Sequence, residues 1–514
     1  MKVRFVEFVI PIGIPMKRHA GAILSSIRID RNSDRKFSVQ LYMGLRDLLL
    51  SGVLKPGDRL PATRTLAGEV GVSRTTVIDA IDRLVSEGLL ESRVGAGTYV
   101  SGELAAQVKL AAVEKGKEEQ VSVARLSETA KRAKEAFAPR KRLPNRSAAF
   151  ITALPALDAF PMAQWARLSA RHWRKERDLV AGYGEAFGYG RLRQAIAQQL
   201  NAARGIKCDP EQIFIVNGAQ HAFSIIGYML VNPGESVLFE NPGAIGARNA
   251  FLASGVKLVP VNVDEEGFCI EDGLEKCRDF RLAFVTPSHQ QPLGPVMSLG
   301  RRLALLKAAK DADAVIVEDD YDGEFYYGVQ PPPTLKSIDT QDRVIYVGTF
   351  SKSLFPSLRL GYILSPRGLV ESFERVFATW QSGVPTFNQA IVADFMDEGF
   401  FATHVRTMRQ VYRERYETLK QAANCLAGML DLSETRSGFH TVGYFGADVP
   451  EDAVVERARE RGVIVAPLSR YAIEPYAKKG IVLGFGSTPP DEIRCATEKL
   501  ACVLREFPCQ RQLV

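Results

Sequence analysis

Val347-Gly348-Thr349-Phe350-Ser351-Lys352-Ser353-Leu354, with Arg359 close behind, is the stretch from which the rest of the chain can be read. An apolar run ends in two hydroxyls, Thr349 and Ser351, then a lysine and a third hydroxyl, and an arginine follows. A lysine amine can capture an aldehyde as a Schiff base, and hydroxyls beside an arginine suit a phosphate dianion. Upstream, Val317-Glu318-Asp319-Asp320-Tyr321-Asp322 also closes an apolar run. A carboxylate there can pair with a protonated ring nitrogen, and a phenol two residues on can bond a ring oxygen. A lone lysine is usually a solvated surface charge. A strand-end acid and tyrosine followed by T-x-S-K and an arginine is much rarer, and the chemistry it serves is that of pyridoxal phosphate.

Outward from these motifs, short apolar runs alternate with helical patterns. Gln212–Val216, Ser236–Phe239, Lys257–Val261, Leu282–Val285, Ala314–Val317 and Arg343–Val347 read as strands. Such alternation predicts an α/β unit with a mostly parallel sheet covered on both faces. Val216-Asn217-Gly218-Ala219-Gln220-His221 leaves one strand and opens a helix, so the amides of Gly218, Ala219 and Gln220 can cradle a phosphate; a turn of this kind is often only structural. Thr286-Pro287-Ser288-His289-Gln290-Gln291-Pro292-Leu293-Gly294 is a turn-rich loop after another strand, where α/β proteins place ligands. His289 can approach a cofactor there, although an ordinary loop histidine is the blander reading.

The front of the chain follows a different pattern. Leu60-Pro61-Ala62-Thr63-Arg64-Thr65-Leu66-Ala67 opens a short helix with Leu66, Ala67 and Val70 on its apolar face. Gly71-Val72 makes a tight turn, and Ser73 is a good N-cap for a second helix from Arg74 to about Glu87. Val77, Ala80, Ile81, Leu84 and Val85 repeat on that helix at buried-stripe spacing. Arg74, Thr75 and Thr76 are left on its first turn, where a recognition helix meets base edges and phosphates. Gly88 to Val100 then reads as two strands around a glycine-rich tip, the shape of a wing. A small helical domain with an exposed basic helix is the structural alternative.

Charge is distributed unevenly. Residues 1–147 carry 26 Lys and Arg against 16 Asp and Glu, while the remainder carries 40 against 43. A basic front on a near-neutral body suggests that the front alone meets a polyanion, here double-stranded DNA. Seven cysteines without a C-x-x-C pair argue for reduced thiols in a cytoplasm, and six dispersed histidines show no legible metal site. The apolar run Phe5 to Pro15 is broken by Glu7 and Pro11 and is too short for a membrane span. It reads as a disordered or mis-assigned extension, with Met16 an alternative start. The resulting divisions are 1–23 as extension, 24–103 as DNA-binding domain, 104–146 as a linker rich in Ala, Lys, Glu and Arg, and 147–514 as effector domain. No membrane partner is expected.

Leu45–Val100, with L-x-P-G-D-R-L-P at Leu54–Pro61, resembles the winged helix of GntR-type regulators. The body resembles fold-type-I aminotransferases, and the two together resemble the MocR/GabR family over nearly the whole chain. The resemblance implies a transcription regulator whose pyridoxal 5′-phosphate forms an internal aldimine with Lys352 and senses a small amine, an amino acid or a related effector. It implies Asp319 on the pyridine nitrogen and Tyr321 on the 3-oxygen. Thr349, Ser351, Arg359, Gly218, Ala219 and Gln220 would surround the phosphate. It also implies a head-to-tail, domain-swapped homodimer in which Tyr183 reaches the neighbouring subunit's phosphate. Its DNA contacts fall on Arg64, Ser73, Arg74, Thr75, Thr76 and the wing glycine Gly95. Two departures stand out: Ala244 occupies a position where relatives often carry a ring-stacking aromatic, and Ser487 follows the late Gly-Phe strand where carboxylate-binding relatives can carry arginine. Losing that arginine points to a regulator without physiological turnover, and to an effector without a carboxylate. The alternative is an aminotransferase with an appended DNA-binding head.

Overall fold

The computed structural model describes residues 27–93, 95–102, 125–138, 148–328, 331–381, 383–446 and 449–507. The expected N-terminal extension, the basic run at 139–144 and Cys509 lie outside the described residues. The chain divides into two compact units, Met1–Arg125 and Leu126–Val514.

In the first unit, helix Phe37–Leu50 buries Leu41, Leu45 and Leu49, one turn apart on the same face. Helix Thr63–Val70 buries Leu66 and Ala67 and stops at Gly71, whose φ of 73° a residue without a β-carbon adopts at little cost. Ser73 Oγ then accepts from the Thr76 N–H at 3.1 Å, capping helix Arg74–Ser86. That helix turns Val77, Ala80, Ile81 and Leu84 inward. Strands Leu90–Arg93 and Gly97–Val100 pair antiparallel around a tip containing Gly95. Two helices joined by a tight turn, followed by a two-stranded wing, make this unit a winged helix-turn-helix.

The second unit has the fold of a type-I aminotransferase, built on an eight-stranded sheet. In spatial order its strands are Ile213–Val216, Gly361–Leu364, Val344–Thr349, Val315–Asp319, Leu282–Val285, Ser236–Asn241, Lys257–Asp264 and Gly267–Phe268. The five from Val344–Thr349 to Lys257–Asp264 run parallel; Gly361–Leu364 is antiparallel to both neighbours, as is the terminal Gly267–Phe268 to its one. Continuous apolar runs are needed because both faces are covered. Phe239, Phe284, Val317 and Ile345 pack into one core, and Leu238, Ala283, Val285 and Ile316 into the other. A second sheet, Leu430–Leu432, His440–Phe445, Gly480–Gly484 and Ala466–Pro467 in that order, is antiparallel throughout. Helix Glu128–Ala136, within the stretch whose composition suggests a linker, packs on helix Ile245–Ala253.

The parallel strands set the site. Val315–Asp319, Val344–Thr349, Leu282–Val285 and Ser236–Asn241 all end on the same edge, so their following residues converge. Among the described residues no helix is long and apolar enough to cross a membrane. Phe284 is fully buried, stacked on Phe239 at 4.9 Å and edge-on to Phe223 at 5.3 Å. Phe284→Ala should lower unfolding free energy by about 3–5 kcal/mol, seen as an earlier urea midpoint.

Candidate functional site

Lys352 follows the strand Val344–Thr349 on a single helical turn, Phe350–Ser353. Thr349 Oγ1 accepts from the Ser351 N–H at 3.2 Å and so fixes where that turn begins. Lys352 Nζ donates to the Ala153 carbonyl at 2.6 Å. It enters a cavity lined by Thr152, Ala153, Gln291, Pro292, Tyr321, Phe439, His440, Tyr471 and Val482.

Asp319 ends the neighbouring strand and is buried, and its Oδ1 has no hydrogen-bond partner. Burial, with Asp320, Asp322 and Glu240 nearby, holds its carboxyl well above the usual range, opposed by the Lys352 charge. A buried acceptor left unmatched costs free energy unless something supplies a donor. Tyr321 is also buried; desolvation and the Asp322 and Asp319 charges raise its phenol well above its ordinary value, keeping the proton on. His289 Nδ1 faces the Asp322 carboxylate at 2.8 Å and the Tyr321 oxygen at 3.2 Å, and its Nε2 lies 3.3 Å from Thr435 Oγ1. His289 is thus buried behind Tyr321 with both nitrogens engaged, outside the cavity lining.

Arg359 sits in a left-handed conformation, φ 50°, and donates to the Asn217 carbonyl at 3.1 Å. A β-carbon on Gly218 would lie 3.8 Å from its guanidinium, so Arg359 flanks the N-terminus of helix Ala219–Leu230. Gly218, at φ 84°, lets the backbone turn sharply into that helix. Gln220 and Arg359 are exposed, while Ala219 and Ser351 are half-buried. The Gly218 N–H is taken by the Val216 carbonyl at 2.8 Å, so what this corner offers an anion is the start of helix Ala219–Leu230 and the Arg359 guanidinium beside it. Tyr183 is fully exposed and touches none of this within its own chain's cavity lining.

Several contributors carried no signal in the sequence. Glu240, fully buried, accepts from the Thr286 N–H at 2.9 Å, the Thr286 hydroxyl at 2.7 Å and Gln290 Nε2 at 3.1 Å. Burial pushes it up to about 7. It braces the 286–294 loop that brings Gln291 to the cavity. Asn241 Oδ1 accepts from Ile473 N–H at 2.7 Å, and Gly243 N–H donates to the Tyr471 carbonyl at 3.0 Å, seating Tyr471 beside the cavity. Ala244 is buried outside the lining, so aromatic surface there comes from Tyr321, Phe439, His440 and Tyr471. From the late strand it is Val482, not Ser487, that reaches the cavity. The buried guanidinium of Arg415, on helix Phe400–Ala422, donates to the Gly486 carbonyl and pairs with Asp158 at 2.5 Å. His289, Asp322 and His440 each bring one ligand atom within 4.8 Å of the others, a spacing also suited to a cation.

In the winged helix, Arg64, Ser73, Arg74, Thr75 and Gly95 are exposed and Thr76 is half-buried. Arg74 Nε donates to Thr63 Oγ1 at 3.3 Å, tying the two helix starts together. The Ser73 hydroxyl lies 2.8 Å from those of both Thr75 and Thr76.

Known proteins repeat this pairing of units. The signature of the gntR family of bacterial regulatory proteins matches residues 37–100, and that of aminotransferase class I and II matches 153–478. MocR of Rhizobium meliloti, named as a probable rhizopine catabolism regulatory protein, is 41% identical over 470 residues, covering 91% of this chain and 93% of its own. The chain belongs to the MocR-type regulators. This regulator is also similar to the pyridoxine biosynthesis transcriptional regulator PdxR of Corynebacterium glutamicum, 30% identical over 91% of this chain and 96% of that one. The kynurenine aminotransferase of Pyrococcus horikoshii, solved in complex with PMP, matches with a TM-score of 0.65 at 26% identity, over 77% of this chain and 99% of its own. A MocR-type regulator is a DNA-binding transcription regulator with an aminotransferase-like domain, and so is this chain.

The raised Asp319 carboxyl has a stability consequence. Where the folded pKa lies above the unfolded one, the folded state holds the extra proton, so rising pH through that interval lowers stability. Asp319→Asn carries no such penalty. In ligand-free protein the variant should therefore melt above wild type at pH 8, with the gap closing toward pH 4, as read by calorimetry across that range.

Proposed function

We propose that this regulator holds pyridoxal 5′-phosphate at Lys352 and uses it to sense a small amine, changing how its winged helix engages operator DNA. The observation that carries the reading is Asp319 Oδ1, buried without a partner on the strand beside the lysine turn. A protonated pyridine nitrogen supplies the donor that this oxygen lacks. Once bound, the cofactor supplies an aldehyde that primary amines capture and a ring that withdraws electrons. The chain's residues supply the rest. Lys352 brings the amine; Tyr321, oriented by His289, donates to the ring's 3-oxygen, with Gln291 alongside. Gly218, Ala219, Gln220, Thr349, Ser351 and Arg359 hold the phosphate. Tyr183 extends to the phosphate of a second copy in a head-to-tail, domain-swapped homodimer. The protein acts in the cytoplasm.

On DNA, Arg64 grips phosphate and Arg74 reads a base edge, with Ser73, Thr75, Thr76 and the Gly95 wing tip completing the contact. Effector binding biases one of two dimer states and so changes operator affinity or geometry. No sustained turnover accompanies sensing, because the lining of the Lys352 cavity includes no arginine to hold a substrate carboxylate. The likeness to aminotransferases favours one second reading, catalytic transamination; steady-state turnover at ordinary enzyme rates would establish it in place of sensing.

Protein purified with the cofactor should be yellow, and Lys352→Ala should lose the visible band; a retained band would refute the assignment. Arg74→Ala should weaken specific operator binding by about 1–3 kcal/mol and leave the colour intact, measured by fluorescence anisotropy against a scrambled duplex. Affinity should also fall steeply with salt as counterions are released, whereas a flat response would contradict the phosphate contacts.

A further inference from the structure

Beside Lys352, the face of the cavity built by this chain has an uncommon composition. Thr152, Ala153, Gln291, Pro292, Tyr321, Phe439, His440, Tyr471 and Val482 include neither a carboxylate nor a second cation. A ligand carboxylate entering that face would be desolvated without a guanidinium to meet it, and a second ammonium without an acid to meet it. The Arg415 guanidinium is already committed to Asp158 and the Gly486 carbonyl.

One polar group on this face is unmatched. His440 is 5% exposed, and its Nε2 has no partner. The ring hydrogen-bonds the Pro292 carbonyl, which can only accept, so the bonded nitrogen, Nδ1, carries the proton. Burial, with His289 beside it at 4.6 Å between ring centroids, holds His440 well below the usual histidine range and keeps the ring neutral. Nε2 therefore presents a lone pair: an acceptor, in a place where leaving it unmatched is costly.

We propose that the effector is a primary amine carrying an uncharged hydroxyl, and that the hydroxyl donates to His440 Nε2. This rests on Lys352 holding the cofactor, as proposed above. Gln291, Thr152 and Tyr471 give a polyhydroxylated amine further neutral partners on the same face, and Val482 gives nothing to a carboxylate.

The test uses the cofactor-loaded full-length protein, following its visible band during titration with small amines. 2-Aminoethanol is compared with its methyl ether, 2-methoxyethylamine, whose oxygen withdraws similar electron density but donates no hydrogen bond. β-Alanine and 1,3-diaminopropane supply the carboxylate and the second ammonium. Wild type should bind aminoethanol about tenfold more tightly than the ether, the worth of one buried hydrogen bond, and should bind the two charged amines more weakly than aminoethanol. His440→Leu should bring the ratio of alcohol to ether close to one, and His440→Asn, which keeps an acceptor, should restore part of it. Equal binding of alcohol and ether by wild type, a preference for β-alanine or the diamine, or a ratio unchanged in His440→Leu would each overturn the proposal. So would a preference abolished by EDTA, which would give His440 to a cation shared with His289 and Asp322. If wild type shows no visible band, the cofactor reading fails and this proposal falls with it; a band that responds to amines without regard to hydroxyls defeats this proposal alone.

Discussion

The cofactor site turns on one buried carboxyl group with an unmatched oxygen. Asp319 is carried into the interior at the end of the strand Val315–Asp319, whose first three residues are apolar, and its Oδ1 meets no donor there. Folding such a group costs free energy that the surrounding hydrophobic packing must offset. The cost is useful if a cation arrives from outside, because the same low-polarity surroundings that penalise the bare carboxylate strengthen its pairing with a protonated ring. Asp319, Asp320 and Asp322 stand together, but their neighbours differ. Asp320 pairs with buried Arg204 at 2.5 Å and accepts from the Tyr346 hydroxyl; Asp322 has His289. Oδ1 of both Asp319 and Asp320 lacks a partner, but Asp320 is engaged through its Oδ2 by Arg204 and Tyr346, and it is Asp319 that ends the strand beside the lysine turn.

Around that carboxylate the chain builds a pocket by bracing loops rather than by lengthening strands. Glu240 takes three donors from the 286–294 loop, and Gln290 Nε2 also reaches the Pro242 carbonyl at 2.9 Å, so two strand-end turns are held as one piece. Asn241 in turn fixes the segment that carries Tyr471. The Glu240 and Gln290 bonds are buried and the Asn241 bond is half-buried, and together they seat the neutral side chains of Gln291 and Tyr471 on the cavity.

Much of this was legible from residue order, and the reasons differ by element. The winged helix could be read closely because its signals are local: Gly71 needs a left-handed conformation, Ser73 needs a following N–H, and the Val77, Ala80, Ile81 and Leu84 stripe needs a core. The parallel strands could be read because burial on both faces demands unbroken apolar runs. Gly361–Leu364 was not read as a strand: four residues after a left-handed arginine carry little periodicity, and only pairing with both neighbours makes them one. The small antiparallel sheet was missed for a related reason, since His440-Thr441-Val442-Gly443-Tyr444-Phe445 lacks a clean alternation. Its register brings His440 to the cavity from far along the chain. Ser487 drew attention through its place after Gly-Phe, yet it lies in the turn beyond the strand Gly480–Gly484, and it is Val482 within that strand that lines the cavity.

The most direct test of the central claim is the protonation state of the bound cofactor's ring nitrogen. Pyridoxal phosphate labelled with 15N in the ring, bound to the full-length regulator, should show the chemical shift of a protonated pyridinium at neutral pH, and Asp319→Asn should move it to that of the neutral ring. A neutral nitrogen in wild type would mean that Asp319 does not hold the ring.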